Sequence, residues 1–286
     1  MSSKHPKVAV VLGQGGIKPA AALPVFELLD EMDIPCDLIV GCSGGSLVGG
    51  LKAFGKTNEE IMDVIHQVTQ SKYMQKTNTR QLLALLNVPF FNYDKTEGVI
   101  IPTLMLKDLE KVFGTTTFEQ LPTKLIVSGT DFQTGENIKI DSGFVKDALY
   151  ASSCIYPFMP PVAIGDKLVV DGALSVPIPF EQAAVENPDL IIVITFTFYP
   201  DYCPEGFFSA CDNFFSQAID RKGRVLLNES IKRFPGKVVH IDVRLDEQIS
   251  VLETDRLDDI LEIGKSIATK YKQTIEDAYS EVSKNL

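Results

Sequence analysis

Residues 37–54, "DLIVGCSGGSLVGGLKAF", decide the fold. "DLIV" is a short apolar run of the kind that fills a buried strand, and "SLVGGLKAF" has the character of a starting helix. Between them, Gly41-Cys42-Ser43-Gly44-Gly45 has the spacing G-x-S-x-G. That spacing holds a serine on a strained strand-to-helix corner, with its hydroxyl projecting from the carboxyl edge of the sheet. The small neighbours Gly41, Gly44 and Gly45 let the strand and helix backbones approach closely. A helix starting beside Ser43 also offers unpaired amides and a positive dipole end to an alkoxide or oxyanion. A tight bend made of small residues would need the same glycines, but a strand before and a helix after favour a nucleophile at Ser43. Ser46 falls in the first turn of the helix and reads as a capping hydroxyl.

Outward from this corner, strand-like and helix-like segments alternate along most of the chain. The alternation predicts an α/β fold in three layers, with a mainly parallel central sheet and helices on both faces. Strands are expected at 8–12, 37–40, 124–129, 136–140, 167–170, 190–196 and 237–243. Helices are expected at about 19–32, 45–69, 103–112, 143–152, 208–234 and 255–280. In the last, Leu257, Ile260, Leu261, Ile267, Tyr271, Ile275 and Ala278 recur at three- and four-residue spacing, as a core-facing stripe does. No repeat or linker divides the sequence, so residues 1–286 read as one domain ending in helices over 208–286. Residues 70–102 fit the alternation poorly and read as an insertion over the sheet edge, where a lid or cap could be built. In 199–217, Phe207, Phe208, Cys211, Phe214 and Phe215 share a helical face. Core packing explains such a face most simply, with an acyl-chain wall or a membrane-touching lip as the functional alternative.

With 286 residues, 45% of them hydrophobic, the chain can bury a substantial core. Its formal net charge of -11 repels polyanions, which argues against nucleic acid as a partner and for a neutral or small-molecule substrate. Cys36, Cys42, Cys154, Cys203 and Cys211 are odd in number and scattered without CxxC spacing, so they suggest free thiols rather than disulfides or a zinc site. "MSSKHPK" does not resemble a secretory leader, and no apolar run reaches the roughly 18 residues of a membrane span. A cytoplasmic protein is expected. In the basic group Arg221, Lys222, Arg224, Lys232 and Arg233, a solvated helix face is the simpler reading and contact with lipid head groups the functional one.

A serine nucleophile needs an oxyanion site and a base. "GQGGIKP" at 13–19 follows the first strand and opens the first helix, so the amides of Gly15 and Gly16 can face a developing negative charge. The same turn could cradle a dinucleotide, but Lys18 stands where G-x-G-x-x-G needs its last glycine, and no P-loop run is present. The chain has three histidines. His5 lies in a polar tail, His66 in a helix, and His240 inside the strand "KVVHIDV" rather than in a loop after one, which disfavours a histidine triad. Asp171, in "KLVVDGALSVPIP", directly follows a buried strand, and Gly172 lets the chain turn away without blocking a pocket. As a bare dipeptide Asp-Gly is a tight turn. Asp131 in "SGTDFQTGE" is the other carboxylate, in surroundings that look like an Asx turn.

Taken together and in order, these segments resemble the patatin-like phospholipases over about residues 7–200. "LGQGGIKP" is similar to that family's glycine-rich oxyanion loop with its basic residue, and "GCSGGS" to its nucleophile elbow. "IVSGTDFQTGE", "ASSCIYPFMPPV" (151–162) and "DGA" (171–173) resemble its later segments, the last being its Asp-Gly-Ala/Gly motif. The chain departs from the family at Gln14 and Pro19, where glycine is more usual. The resemblance implies a dyad of Ser43 and Asp171 without histidine, oxyanion donors at Gly15 and Gly16, and Lys18 as the basic residue of the loop. Gly13, Gly41, Gly44, Gly45 and Gly172 would be supporting positions. It further implies hydrolysis of lipid acyl esters without metal or other cofactor, and transient contact with a membrane surface. Two alternatives stay open: a soluble esterase, thioesterase or acyltransferase on acyl-CoA, acyl-carrier or small esters, and a non-enzymatic module binding a nucleotide or anion.

Overall fold

Apolar runs too short for buried helices become strands in the computed structural model, which describes residues 5–70, 77–197, 206–245 and 256–284. In chain order these strands are β1 (Val8–Leu12), β2 (Leu38–Cys42), β3 (Lys124–Asp131), β4 (Asn137–Ile140), β5 (Val162–Ile164), β6 (Lys167–Asp171), β7 (Leu190–Thr197) and β8 (Lys237–Arg244). They form one sheet in the order β5-β6-β3-β2-β1-β7-β8, with β4 paired to β3 outside that path. From β3 to β8 neighbouring strands run parallel, whereas β4, β5 and β6 are antiparallel to their partners.

Alternating side chains of the fully buried β1 face two cores, as a pleated strand requires. Val8, Val10 and Leu12 join the larger core beneath α1 (Leu23–Glu31), α2 (Gly44–Ala53), α3 (Asn58–Gln70), α5 (Thr103–Phe113), α6 (Val145–Ser152) and α9 (Leu257–Ser283). Ala9 and Val11 meet Ile178, Phe180, Ala183 and Leu227 on the opposite face, supplied by α7 (Phe180–Ala184), the turn before it and α8 (Phe207–Arg233). The three-layer α/β reading and the core stripe of α9 are therefore observed, with Leu257, Ile260, Ile275 and Ala278 buried.

Several expectations need correction. The helix expected over 45–69 is broken into α2 and α3 at Gly55, which has a φ of 88°. Thr57 then starts α3 with reciprocal bonds to Glu60: Thr57 N donates to Glu60 Oε2 at 2.9 Å and Glu60 N to Thr57 Oγ1 at 3.2 Å. In α8, Phe214 and Phe215 do not pack in the core. Both are exposed, edge to face at 5.7 Å, because α8 meets the body further along, where Gly223 lies against Pro177 and Ile178. The side chains of Phe207 and Phe208 and the whole of Cys203 lie outside the described residues. Part of the 70–102 insertion does too, but the remainder contains α4 (Thr79–Leu85), which was not anticipated. Among the described residues, no helix is long and apolar enough to cross a membrane.

Candidate active site

Sheet register brings Ser43 and Asp171 together. Cys42, the last residue of β2, pairs with Ser128 on β3, and the next β3 residue, Gly129, pairs with Asp171 at the end of β6. The two side chains thus leave neighbouring strands at one level, although they are far apart in sequence. Ser43 Oγ donates to Asp171 Oδ2 at 2.7 Å.

The corner at Ser43 is strained, with φ 53° and ψ -126°, a region that glycine enters more readily than serine. Backbone contacts hold it there. A methyl group on Gly41 would lie 2.5 Å from Ser46 Cα, on Gly45 2.4 Å from Gly13 O, and on Gly44 1.8 Å from Gly16 O. Ser43 N donates to Ser152 Oγ at 2.9 Å, and that hydroxyl donates onward to Ser128 O at 2.7 Å. Ser46 Oγ donates to Ser43 O at 2.6 Å, a bond back to the carbonyl of the corner rather than the expected cap, and α2 has no side-chain cap.

Asp171 is 5% exposed. Its Oδ1 accepts from Ala173 N at 2.9 Å, while Thr130 Oγ1 donates to its main-chain oxygen at 2.8 Å. Gly172 packs so tightly that a Cβ would come within 2.3 Å of Ser128 O. Burial pushes the Asp171 carboxyl up from the ordinary aspartate range to about 6, against the smaller opposing pull of the bonds from Ala173 and Ser43. An acid in that range can accept a proton at neutral pH and return it.

The glycine-rich loop folds over the same corner. Gly13 N is bound to Ile194 O at 3.0 Å and Gln14 N to Pro177 O at 2.9 Å, so both are committed to the scaffold. Among the described residues, the amides of Gly15 and Gly16 donate to nothing, and Gly16 adopts a φ of 59°. As the first residue of α2, Gly44 has no intrahelical acceptor for its amide either. Ser43 is only half-buried and remains reachable. A carbonyl oxygen there would meet main-chain N–H groups preorganised for negative charge. Lys18 is 2% exposed and lies in a 3₁₀ turn, Lys18–Ala22, ahead of α1.

The other candidates fall elsewhere. His240 sits on β8, three strand spacings from β2, or about 14 Å. Its Nε2 is 2.9 Å from Thr195 Oγ1, and burial lowers its pKa. His5 lies near Asp37, and His66 is on α3. Asp131 forms the anticipated Asx turn, accepting from Gln133 N at 2.8 Å, and pairs with Lys167 at 3.2 Å. Burial pushes the thiols of Cys42 and Cys154 up, the latter to about 12, which leaves both un-ionised at neutral pH. In the basic group of α8, Arg224 pairs with Asp220 and Asp242, Lys232 with Glu229 and Arg233 with Glu181. Lys222 donates to Leu174 O at 2.9 Å. Among the described residues, no group of three His, Cys, Asp or Glu side chains is placed to hold a metal ion. A groove of about 1060 Å³ lies at the opposite end of the sheet, against Asp189, Arg233, Lys237 and Glu281, away from Ser43 and Asp171.

Ser152, Ser128 and Thr130 support the corner without having been singled out from the sequence. Only the small polar character of "ASS" hinted at Ser152.

The sequence profile of a family described as patatin-like phospholipase matches residues 10–184. An uncharacterised NTE family protein of Mycobacterium tuberculosis is 27% identical over 193 residues, covering 68% of this chain and 50% of its own length. Lysophospholipase NTE1 of Debaryomyces hansenii is 23% identical over 292 residues, covering 93% of this chain and 18% of that protein. The chain therefore spans half or less of these two relatives. Among solved structures, the human GIVD cytosolic phospholipase A2 superposes with a TM-score of 0.56 at 10% identity, covering 98% of this chain and 61% of that one. This last likeness is one of fold.

Proposed function

The chain belongs to the patatin-like phospholipase family, and on that premise we propose that it is a serine hydrolase cleaving carboxylic esters of lipids through a dyad of Ser43 and Asp171. The observation that carries the reading is the 2.7 Å bond from Ser43 Oγ to a buried carboxylate with a pKa raised to about 6. As Ser43 Oγ attacks the ester carbonyl, Asp171 Oδ2 takes its proton and the carbonyl oxygen becomes an oxyanion. The amides of Gly15 and Gly16 receive that charge. Collapse of the tetrahedral species breaks the ester C–O bond, and Asp171 returns the proton to the departing alcohol. A water molecule, deprotonated by the same carboxylate, then attacks the acyl-enzyme, and Asp171 passes that proton to Ser43 Oγ as the acyl C–O bond breaks and the fatty acid is freed. Lysophospholipid and phospholipid esters are the favoured substrates because the relatives carry the names lysophospholipase and phospholipase. A cytoplasmic location goes with this reading.

The test is labelling by a fluorophosphonate probe. Labelling should vanish in Ser43→Ala, fall sharply in Asp171→Asn and persist in His240→Ala. A folded wild-type protein that resists the probe would refute the reading, and loss in His240→Ala would restore a histidine base. Comparing turnover of lysophosphatidylcholine with that of a long-chain acyl-CoA separates lipid hydrolysis from the thioesterase alternative.

A further inference from the structure

Between Gln81 and Tyr93 the sequence "QLLALLNVPFFNY" contains no charged residue. Apart from Gln81 and Ala84, which are buried, it does not pack inward. Leu82, Leu85, Leu86, Phe90, Phe91 and Tyr93 are all exposed, with Leu86 at 67% and Phe90 at full exposure. Single apolar side chains on a surface are ordinary, but a contiguous group of this size marks a place where something else is meant to sit.

The geometry makes this stretch a closed finger. At its neck the buried Gln81 side chain clamps the main chain of residue 94: Nε2 donates to Asp94 O at 2.6 Å, and Asp94 N donates to Oε1 at 3.2 Å. Below the neck, Asn78 N donates to Val99 O at 2.6 Å and Thr77 bridges Ile100. Beyond it, much of the main chain bonds within the finger, from Leu86 N to Leu82 O, Asn87 N to Ala84 O, Val88 N to Leu83 O and Phe91 N to Val88 O, while the amides of Phe90, Asn92 and Tyr93 at the tip and its return donate to no described residue. Asn87 and Phe90, both at positive φ, turn the tip, and such a conformation is costly for a residue as bulky as Phe90.

We propose that residues 82–93 insert into the interface of a lipid bilayer and seat the enzyme with its dyad over the lipid, an inference that rests on the lipid hydrolase reading. Hydrocarbon offers no hydrogen-bond partners, so an inserting segment must carry no charge and turn most of its backbone inward; this finger is uncharged and bonds its helical turns internally, and the few amides left at its tip suit the hydrated interface rather than the hydrocarbon centre. It is also continuous with the site. Tyr93 hydrogen-bonds Tyr156 through their hydroxyls, and Ile100 N donates to Phe158 O at 2.7 Å. Next to Tyr156, Ile155 is exposed, and Cys154 O accepts from Asp171 N at 2.9 Å. Leu174, three residues beyond Asp171, is exposed too. Lipid drawn toward the finger would thus lie beside the catalytic pair. The net charge of -11 selects zwitterionic or neutral lipid over an anionic surface.

The protein contains no tryptophan, so Phe90→Trp in an inactive Ser43→Ala background reports on the tip alone. On addition of phosphatidylcholine vesicles its emission should shift to the blue and be quenched by brominated lipid, with no further gain when phosphatidylserine is included. Leu86→Asp with Phe90→Asp should weaken vesicle binding by about a hundredfold, since burying one large apolar side chain shifts a partition roughly tenfold or more. With Ser43 intact, the same double variant should keep its rate on monomeric p-nitrophenyl butyrate within about twofold, because both positions are solvent-exposed. Unchanged emission with vesicles would overturn the proposal. So would equal binding by the double variant, or a blue shift that follows protein concentration without lipid and so reports a second copy of the chain. Vesicle binding without ester turnover would instead sink the hydrolase reading and leave the finger standing.

Discussion

Replacing Asp171 by asparagine should make the protein more stable at neutral pH while removing most of its activity. The carboxyl titrates at about 6 in the folded protein, against 3.8 for an ordinary aspartate. Because the folded pKa is the higher one, the native state holds this proton more tightly than the unfolded chain does. The stabilisation is complete below the unfolded value and is lost as pH rises through 6. Asparagine has no charge to desolvate and fits the same bonds: its Oδ1 can accept from Ala173 N, and its Nδ2 can donate to Ser43 Oγ. The gain of Asp171→Asn over wild type should grow from about 1 kcal/mol at pH 4.5 to about 3 kcal/mol at pH 7.5, as proton linkage through the two values dictates. Urea unfolding of both proteins across this range measures it, and comparing the pair at each pH cancels the other titrating groups. In the same proteins, kcat/KM of the wild type should rise with unit slope to a plateau above pH 6, and the variant should fall by a factor of about 10² to 10⁴. An asparagine variant less stable than wild type at pH 7.5, or a difference that does not change with pH, would refute the buried-base argument.

Ser43→Gly should remove the proposed nucleophile yet raise stability by about 1 kcal/mol, because the corner's positive φ no longer strains a side chain; thermal unfolding reads this. Gly44→Ala should reduce kcat/KM at least about a hundredfold, because its methyl group must displace Gly16 O and with it the glycine-rich loop proposed to hold the oxyanion. Ser152→Ala should cost about 1–3 kcal/mol by leaving the amide of Ser43 and the carbonyl of Ser128 without their partner. It should also lower kcat more than it raises KM, and steady-state kinetics with an unfolding curve would separate the two effects.

How much of this was legible depended on whether the signal was local. The parallel strands could be read because buried strands are near-continuous apolar runs, and the corner at Ser43 because its glycines, strand and helix are adjacent in sequence. Asp171 was also reachable, since Asp-Gly after a buried strand is a local pattern. That β6 runs antiparallel beside β3 was not, and this pairing is what sets the carboxylate level with the serine. Helix α4 carries an outward apolar pattern, so periodicity gave no core face to find. Strand β5 has three residues and closely follows Pro160 and Pro161. The break between α2 and α3 had a readable sign, Thr57 three residues before Glu60 just after Gly55, which the longer apolar periodicity masked. The support that Ser152 gives Ser43 joins residues 109 positions apart, so "ASS" shows a small polar residue but not the partner it serves.

The packing of main chain on main chain around Ser43 bears on how such an enzyme can diversify. Gly41, Gly44, Gly45 and Gly172 each meet backbone atoms, which cannot rotate aside as a side-chain tip can. Innovation by substitution is therefore closed at the centre, where any added carbon displaces the reacting groups themselves. It stays open around the rim, where Ile155, Leu174 and the residues of the finger face solvent and can change singly. If the proposed function holds, descendants of this sequence should keep the chemistry fixed while drifting in the substrates they accept, and directed evolution of its selectivity should begin at those rim positions.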